Sequence, residues 1–492
     1  MNISQAVQVA MPGETGASAA AIMTGDRSGM GQCTLTDLRA SNLAHLLAIS
    51  GLHIGLSTGF VFAVIRYGLA LVPAIALRWP AKKVAAVFAM IGGAFYLLLS
   101  GGNVATERAF IMAAVMLVAV LLDRRALTLR AVAIAAVIVL IWQSEAMTGP
   151  GFQMSFAATT ALVAAFAGLR RFDLSRLPKW TRPILSVVVS SFIAGLATAS
   201  FAAAHFNQIA HYGLIENLLS VPLMGILVMP AAVLAVCLAP FELWGIGLWA
   251  MEQGLRWILF VASFVAGQDG ALSQVWAPSP WVLPLMTLGL PWALLIKGAG
   301  RFAGLAMVAC AAVVWLQTVR PAVLVADDGG LLGLQTDAGR ASSKPRGSGF
   351  VAGIWLENDG APVSQEQAAG RAGLTIEGRR VKVDLGGWRI LQVTGKTALA
   401  DLVDCDDILI LNQTDGVERP CSVFEIRRSR ETGSLPLNVA RNGDLYIETA
   451  HHVAGARPWN TQQGPRESRL VLNAQTRKRV AEATQISEIT RP

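Results

Sequence analysis

The stretch His45-Leu-Leu-Ala-Ile-Ser-Gly-Leu-His-Ile-Gly-Leu56 puts two histidines, a serine and two glycines at the start of a long apolar run. Polar and ionisable side chains are costly in an apolar medium, so they face a bundle interior or a water-filled path. Ser50 and His53 are three apart and are expected on one helix face. Gly51 and Gly55 form a small-xxx-small pair, which permits close backbone approach. The plainer alternative is that the glycines only pack helices and the histidines sit at an interface. Further along, Glu107 and Arg108 head a second apolar run, and Gln153 and Ser155 open another. Gln153 either hydrogen-bonds across helices or lines a channel. Glu216 and Asn217 precede Pro222 inside one long apolar stretch, with His205, Asn207, Gln208 and His211 just upstream. Pro222 would free a backbone carbonyl and kink its helix. Broken helices often surround transport sites, but a plain extracytoplasmic loop explains the upstream cluster equally well. No catalytic nucleophile pattern, Cys-x-x-Cys pair or Cys/His zinc spacing is present in the sequence, so no catalytic residue, metal or cofactor is assigned.

The elements that must hold these residues are long apolar segments. Of 492 residues 54% are apolar and only 15% charged, and mean hydropathy is +0.51. Ordinary soluble domains carry about 25% charged residues, and disorder needs low hydrophobicity. About ten apolar runs follow in order: 44–65, 84–100, 104–122, 131–145, 151–169, 184–204, 212–239, 243–266, 281–297 and 302–318. Most approach the roughly 20 residues that cross a bilayer as a helix. Residues 1–43 lack the basic start and apolar stretch of a signal peptide, so the first span is expected to insert itself.

The net charge of +8 invites a nucleic-acid reading. Its distribution argues otherwise. Residues 1–319 carry 18 Lys+Arg against 11 Asp+Glu, and residues 320–492 carry 22 against 21. The excess sits in linkers 78–83, 123–130, 170–182 and 297–301, while linkers 146–150, 205–211 and 267–280 have no Lys or Arg. That alternation is a positive-inside bias. It places the basic linkers in the cytoplasm and, with ten spans, both termini outside.

From residue 320 the pattern changes to short β-like runs with Gly/Asp turns. Strands are expected at Val323–Asp327, Leu331–Asp337, Phe350–Leu356, Arg379–Asp384, Trp388–Thr394, Asp407–Asn412, Ser422–Arg428 and Leu445–Thr449, with short helices at 361–371 and 397–404. The fold class is therefore a polytopic α-helical membrane bundle with a C-terminal β-rich α/β soluble domain. Its parts are a 1–43 N-terminal extracytoplasmic segment, a 44–319 transmembrane domain, a 320–452 β-rich domain and a polar 453–492 tail. Cys33, Cys237 and Cys310 lie outside the soluble domain. Cys405 and Cys421 lie within it, and could pair if it sits in an oxidising compartment.

The run His-Leu-Leu-Ala-Ile-Ser-Gly-Leu-His-Ile-Gly-Leu resembles the signature of the ComEC competence family, membrane proteins that carry incoming DNA across the inner membrane. Thr24-Gly-Asp-Arg-Ser-Gly-Met30 is similar to the stretch before that signature. Gly101-Gly-Asn-Val-Ala-Thr-Glu-Arg-Ala-Phe-Ile-Met112, Gly151-Phe-Gln-Met-Ser-Phe-Ala157 and Glu216-Asn-Leu-Leu-Ser-Val-Pro-Leu223 resemble three further family segments, in the same order. The resemblance covers about residues 24–240. It makes His45, Ser50, Gly51, His53, Arg108, Gln153, Asn217 and Pro222 the channel motif residues. Family members begin with extra membrane segments and an OB-like domain, so a truncated start is expected here. Many end in a metallo-β-lactamase-like domain. Asp327–Asp337 and Cys405–Leu411 resemble weak remnants of its strands, but its His-x-His-x-Asp-His motif is absent and the only tail histidines are His451 and His452.

The resemblance implies an inner-membrane channel subunit for single-stranded DNA during transformation, working with lipid, a separate DNA receptor and an ATP-driven motor, since the chain has no GxxxxGK[ST] motif. Arg108 would line the DNA path or hold the bundle with Glu107; alternatively the pair snorkels outward. Trp244, Trp249, Trp257, Trp276 and Trp281 read as an interface belt, with base stacking as the sharper alternative. With so few cations in the spans, a hydrated channel of Ser, Asn, Gln and His, formed with partners or as a homo-oligomer, is the expectation. A small-solute permease and a membrane-anchored metallo-hydrolase-like protein without a metal site are the competing readings.

Overall fold

The computed structural model describes residues 3–72, 74, 78–169, 178, 180–402, 406–417, 419–455 and 470–473. Most of the basic linker 170–182, Cys405 and most of 453–492 lie outside them. The chain forms two units, Met1–Ser273 with Pro278–Leu316, and Gln274–Ala277 with Gln317–Pro492.

The first unit is helical. It opens with α1 (Ile3–Ala10), α2 (Glu14–Thr24), α3 (Gln32–Ala40) and α4 (Ala44–Leu47). Longer helices follow: α5 (Gly51–Ala70), α6 (Ala81–Leu99), α7 (Val104–Leu121), α8 (Leu129–Trp142), α9 (Pro150–Leu169), α10 (Thr181–Phe206), α11 (Gly213–Leu223), α12 (Met229–Leu238), α13 (Trp244–Ala266), α14 (Val282–Leu295) and α15 (Arg301–Leu316). Two short strands, β1 (Gln208–Ala210) and β2 (Leu272–Gln274), pair with each other.

Among the described residues seven helical stretches are long and apolar enough to cross a membrane: Gly51–Ala70, Ala81–Leu99, Val104–Leu121, Pro150–Leu169, Thr181–Phe206, Gly213–Phe241 and Gly298–Leu316. Of the other runs read as spans, α8 and α14 are apolar but have 14 residues each. Helix α13 is long enough but carries Glu252 and Arg256.

Local chemistry explains the helix starts. The Asn103 side chain accepts from Thr106 N (3.0 Å) and that of Thr128 from Ala131 N (3.1 Å), satisfying amides that a helix leaves free. The Gly213–Phe241 stretch is interrupted. Pro222 sits inside α11, and one π-helical turn, Met224–Val228, separates α11 from α12.

Residues 3–40, set apart in the sequence as an N-terminal segment, pack into the heart of this unit. Eight consecutive α2 residues, Gly16–Met23, are buried. They share one core with Ile54, Tyr96, Met224, Val228 and the inward face of α13, including Leu248, Met251, Leu255 and Ile258. Gly51 and Gly55, read as close-approach positions, have nothing within 4 Å of an added Cβ. Close approach occurs elsewhere. A Cβ on Gly304 would lie 2.7 Å from Gly289 O, and one on Gly247 would lie 2.6 Å from Ala235 N. These glycines set the spacing of α14 on α15 and of α12 on α13.

The second unit is a sandwich. One sheet has the strand order β13-β12-β11-β3-β4-β5 and the other β10-β9-β8-β7-β6. The first comprises β3 (Val323–Val325), β4 (Leu332–Thr336), β5 (Gly339–Ser342), β11 (Leu435–Val439), β12 (Leu445–Ile447) and β13 (Leu470–Leu472). The second comprises β6 (Thr375–Glu377), β7 (Arg380–Leu385), β8 (Trp388–Val393), β9 (Ile408–Leu411) and β10 (Ser422–Phe424). Alternate residues of both sheets meet in one core: Val323, Val325, Leu332, Ile390, Ile408, Ile410, Leu435 and Leu437. The intervening residues face helices on the outside. Leu324, Ala326 and Leu331 pack on α16 (Gly349–Asn358) through Ala352 and Trp355, and Leu391, Val393 and Leu409 pack on α18 (Lys396–Ala400). Three further short helices belong to the unit: α17 (Gln365–Ala369), α19 (Ile426–Thr432) and α20 (Ala450–Ala454).

Segment Phe350–Leu356 is helix, not the expected strand. Its buried residues Ala352, Trp355 and Leu356 recur at helical spacing, and covering the outer sheet face outweighs their β propensity. Residues 426–428 likewise belong to α19 instead of extending β10.

A buried ion cluster ties this unit together. Asp359, just past α16, accepts from Arg340 Nε (2.5 Å) and Arg320 Nε (2.9 Å), and Arg340 also donates to Gly333 O and Pro321 O. The Arg340 and Asp359 side chains are 2% and 1% exposed. Breaking one side of such a pair strands the other charge. Asp359→Ala is expected to cost the domain about 3–5 kcal/mol. Hydrogen exchange of the β3–β5 amides in the full chain, against denaturant, measures it.

Candidate membrane-embedded polar site

The polar motif residues gather where several helices begin. Ser50 is the N-cap of α5, in extended backbone, and not a residue of its face. Its N–H donates to His53 Nδ1 (3.4 Å) and its hydroxyl lies 3.2 Å from the same nitrogen. His53 thus caps its own helix. Acceptance at Nδ1 leaves the proton on Nε2, which is buried without a hydrogen-bond partner. His45 remains exposed and its Nδ1 lies 2.8 Å from Asn42 O. Gly51 is exposed.

The turn after α2 joins this region to the next. Gly25 ends α2 with φ +81°, a conformation that favours glycine. An added Cβ there would lie 3.3 Å from Ser100 O, 3.7 Å from Ile49 and 4.0 Å from Asn103 Nδ2. Three motif stretches therefore meet at one residue. Beside it, Tyr96 Oη donates to Ile22 O at 2.6 Å across 74 residues of sequence. Tyr96 carried no signal in the sequence beyond its place in an apolar run.

Glu107 and Arg108 diverge. Glu107 Oε2 accepts from Gln143 Nε2 at 3.0 Å. Arg108 is 9% exposed and turns inward, so it does not snorkel. Its guanidinium covers Gly151, where an added Cβ would lie 2.9 Å from Nη1. Gln153 bonds across helices, with Oε1 2.8 Å from His205 Nε2 and Nε2 donating to Met147 O. Downstream, His211 Nε2 lies 2.6 Å from Ser273 Oγ. Asn42 Nδ2 would lie 2.8 Å from a Cβ on Gly213, the first residue of α11. Glu216, Asn217 and Pro222 follow on that helix. These contacts connect the stretches around residues 24–30, 42–56, 100–112, 143–157 and 205–223 within the helical unit.

At the other helix ends, Lys83 Nζ pairs with Asp123 Oδ2 at 2.6 Å, joining two of the basic linkers. Trp249, Trp257 and Trp281 are exposed, and Trp257 Nε1 donates to Leu219 O at 3.2 Å. Cys421 is disulfide-bonded, while Cys33, Cys237 and Cys310 are free. Cys405 lies outside the described residues. Among the described residues no group of three or more His, Cys, Asp or Glu could hold a metal ion.

A family model described as "Competence protein" matches residues 22–299, more than half of the chain. "ComE operon protein 3" of Bacillus subtilis (strain 168) is 25% identical over 277 residues, 54% of this chain and 32% of that protein. "Competence protein ComA" of Neisseria gonorrhoeae is 28% identical over 285 residues, 56% of this chain and 37% of that protein. The chain therefore spans about a third of the length of these curated relatives. No solved structure matches.

Two outcomes test the packing. Tyr96→Phe leaves the buried Ile22 carbonyl unpaired and is expected to cost about 1–3 kcal/mol, read by thermal unfolding of the purified chain. Asp26 accepts from Ser4 Oγ and from Ser28, and these bonds, Ser4 first, hold its carboxyl below its ordinary 3.8. A depressed acid stabilises the fold above its unfolded value and loses that contribution as pH falls through the folded value. The protection factors of the α1 amides, corrected for intrinsic exchange at each pH, should fall on acidification below about pH 4, and Asp26→Asn should abolish that loss of protection.

Proposed function

The chain belongs to the competence protein family, and we propose that its helical unit is a subunit of an inner-membrane channel that passes single-stranded DNA during natural transformation. The observation that carries this reading is the junction at Gly25 and its continuation through Arg108, Gln153 and Asn42. Stretches far apart in sequence meet at these residues, in helices otherwise fit for lipid. Polar groups kept together at membrane depth serve either packing or a wet path, and a strand of phosphates requires the latter.

The basic linkers then face the cytoplasm, and the polar region opens toward the side from which DNA arrives. The disulfide at Cys421 supports a soluble domain in an oxidising compartment. Two sheets face to face with helices on both outer faces suit a metallo-β-lactamase-like domain, here read as a binding or structural remnant. Capture of DNA by a receptor, traction by an ATP-driven motor, and assembly as an oligomer belong to the same proposal.

Arg108 is the residue to test. It is a buried cation beside Gly151, and a charge-assisted hydrogen bond from it to a phosphate would be worth about 1.5–3 kcal/mol. Arg108→Gln, at matched membrane abundance, should lower the entry of labelled DNA into the cytosol by about tenfold or more, with Arg108→Lys partly restoring it. Normal entry in both variants, or in a strain lacking the gene, overturns the channel reading.

A further inference from the structure

Glu216 stands out among the buried polar groups. It lies in the first turn of α11, is 1% exposed, and neither carboxylate oxygen has a hydrogen-bond partner. One turn on, Ser220 is 0% exposed and its Oγ is also unpartnered, as is the buried Oδ1 of Asn217. Pro222 supplies no N–H to the carbonyl of Leu218, and the π-helical turn Met224–Val228 follows directly. Oxygen acceptors are therefore concentrated in a broken membrane helix, with one carboxylate among them.

No hydrogen bond to either Glu216 oxygen comes from the surrounding charges. Helix α11 packs against α10, α13 and the π-helical turn. Helix α10 carries Arg182 in its first turn and His205 in its last, and His205 bonds Gln153. Helix α13 carries Glu252 and Arg256, which pair with each other at 2.8 Å. The π-helical turn has no titratable side chain. Before α11, His45 on α4 bonds Asn42 O and His211 bonds Ser273. None reaches Glu216. A buried carboxylate without a positive charge or donors costs far more than the fold can absorb.

We propose that Glu216 is the centre of a monovalent-cation site, taking up one proton or one sodium ion at the break in the Gly213–Phe241 helix. Either ion removes the net charge. A proton needs only the carboxyl. Sodium would add Ser220 Oγ, Asn217 Oδ1 and the Leu218 carbonyl as neutral oxygens, a chemistry that broken membrane helices provide. The site does not require that DNA passes through this chain, so it stands or falls separately from the channel reading.

Dicyclohexylcarbodiimide tests it, because this reagent attacks protonated carboxyls in apolar surroundings. The full chain in liposomes is treated over a range of pH, with and without sodium chloride, and adducts are mapped by peptide mass. A Glu216 adduct that forms faster as pH falls is expected. Slowing by sodium at constant pH, with choline chloride as control, identifies sodium as the ion; indifference to sodium identifies the proton. Failure to modify Glu216 at any pH, or a rate independent of both pH and sodium, overturns the proposal. Glu216→Gln mimics the neutral acid, so it should fold and lose the adduct; an adduct that persists in it also overturns the assignment.

Discussion

In hydrocarbon, an unpaired polar group has no water to fall back on, and this constraint shapes the helical unit. Helix α2 shows how it is met. A helix of 11 residues is too short to span, and its last carbonyls are unpaired by construction. Gly25 N–H donates to Ala21 O and Tyr96 Oη to Ile22 O, so two of them are satisfied from outside the helix. Protein covers this segment, whose residues Gly16–Met23 are all buried. Its buried run of alanines lets α13 and Ile54 approach closely enough to do so. Proper seating of the N-terminal helices therefore depends on Tyr96, a residue of a later span, and on the left-handed turn at Gly25 that admits Ser100 and Asn103.

The same constraint explains what could be read in the sequence. Apolar runs are long-range averages over composition, so most of the helices are visible as such. Partners are not. That Gln153 meets His205, or that Arg108 covers Gly151, depends on which helices are neighbours, and spacing within one run holds no information about that. Gly51 and Gly55 have the small-xxx-small spacing but open surroundings, whereas Gly289 and Gly304, on different helices, make the close contact. The motif fixes a possibility; the neighbour decides whether it is used. In the soluble domain alternation revealed most of the core strands. It failed at Phe350–Leu356, where Phe, Val, Ile and Trp suit a strand, but Val351, Ala352 and Trp355 lie at helical spacing against a sheet already formed by β3 and β4. The short pairing strands β5, β6 and β13 escaped because edges carry little apolar signal.

Charge was the most misleading quantity taken whole. The +8 total is neither a DNA footprint nor a property of one surface. It separates into linker charge and a balanced soluble domain. Within that domain the charges pair locally. Arg340 and Asp359 are almost wholly enclosed, and Arg419 pairs with Asp415 within one loop. Buried pairs of this kind fix geometry more than they add stability. Asp359 brings Arg320, before β3, to Arg340 on β5 and to the end of α16.

A path for phosphates with few cations then needs positive potential from another source. The motif residues lie at the N-terminal ends of α5, α7, α9 and α11: Ser50, Asn103, Pro150 and Tyr212 directly precede or open those helices. Each helix start carries about half a positive charge from the aligned peptide dipoles, even where a side chain caps some of its amides. Four such ends, with Arg108, give a field that favours an anion without burying a row of lysines. It also explains why side-chain charge counts understate the proposed channel: the favourable potential comes from backbone dipoles, which composition does not record. The carboxylate of Glu216 sits in the first turn of α11, where that field partly offsets its burial. The offset from one helix end is about 0.3–1 kcal/mol at exposed sites and up to about 2 when partly buried. That falls short of the several kcal/mol that a buried ion costs, so the helix end assists the bound cation at Glu216 and does not replace it.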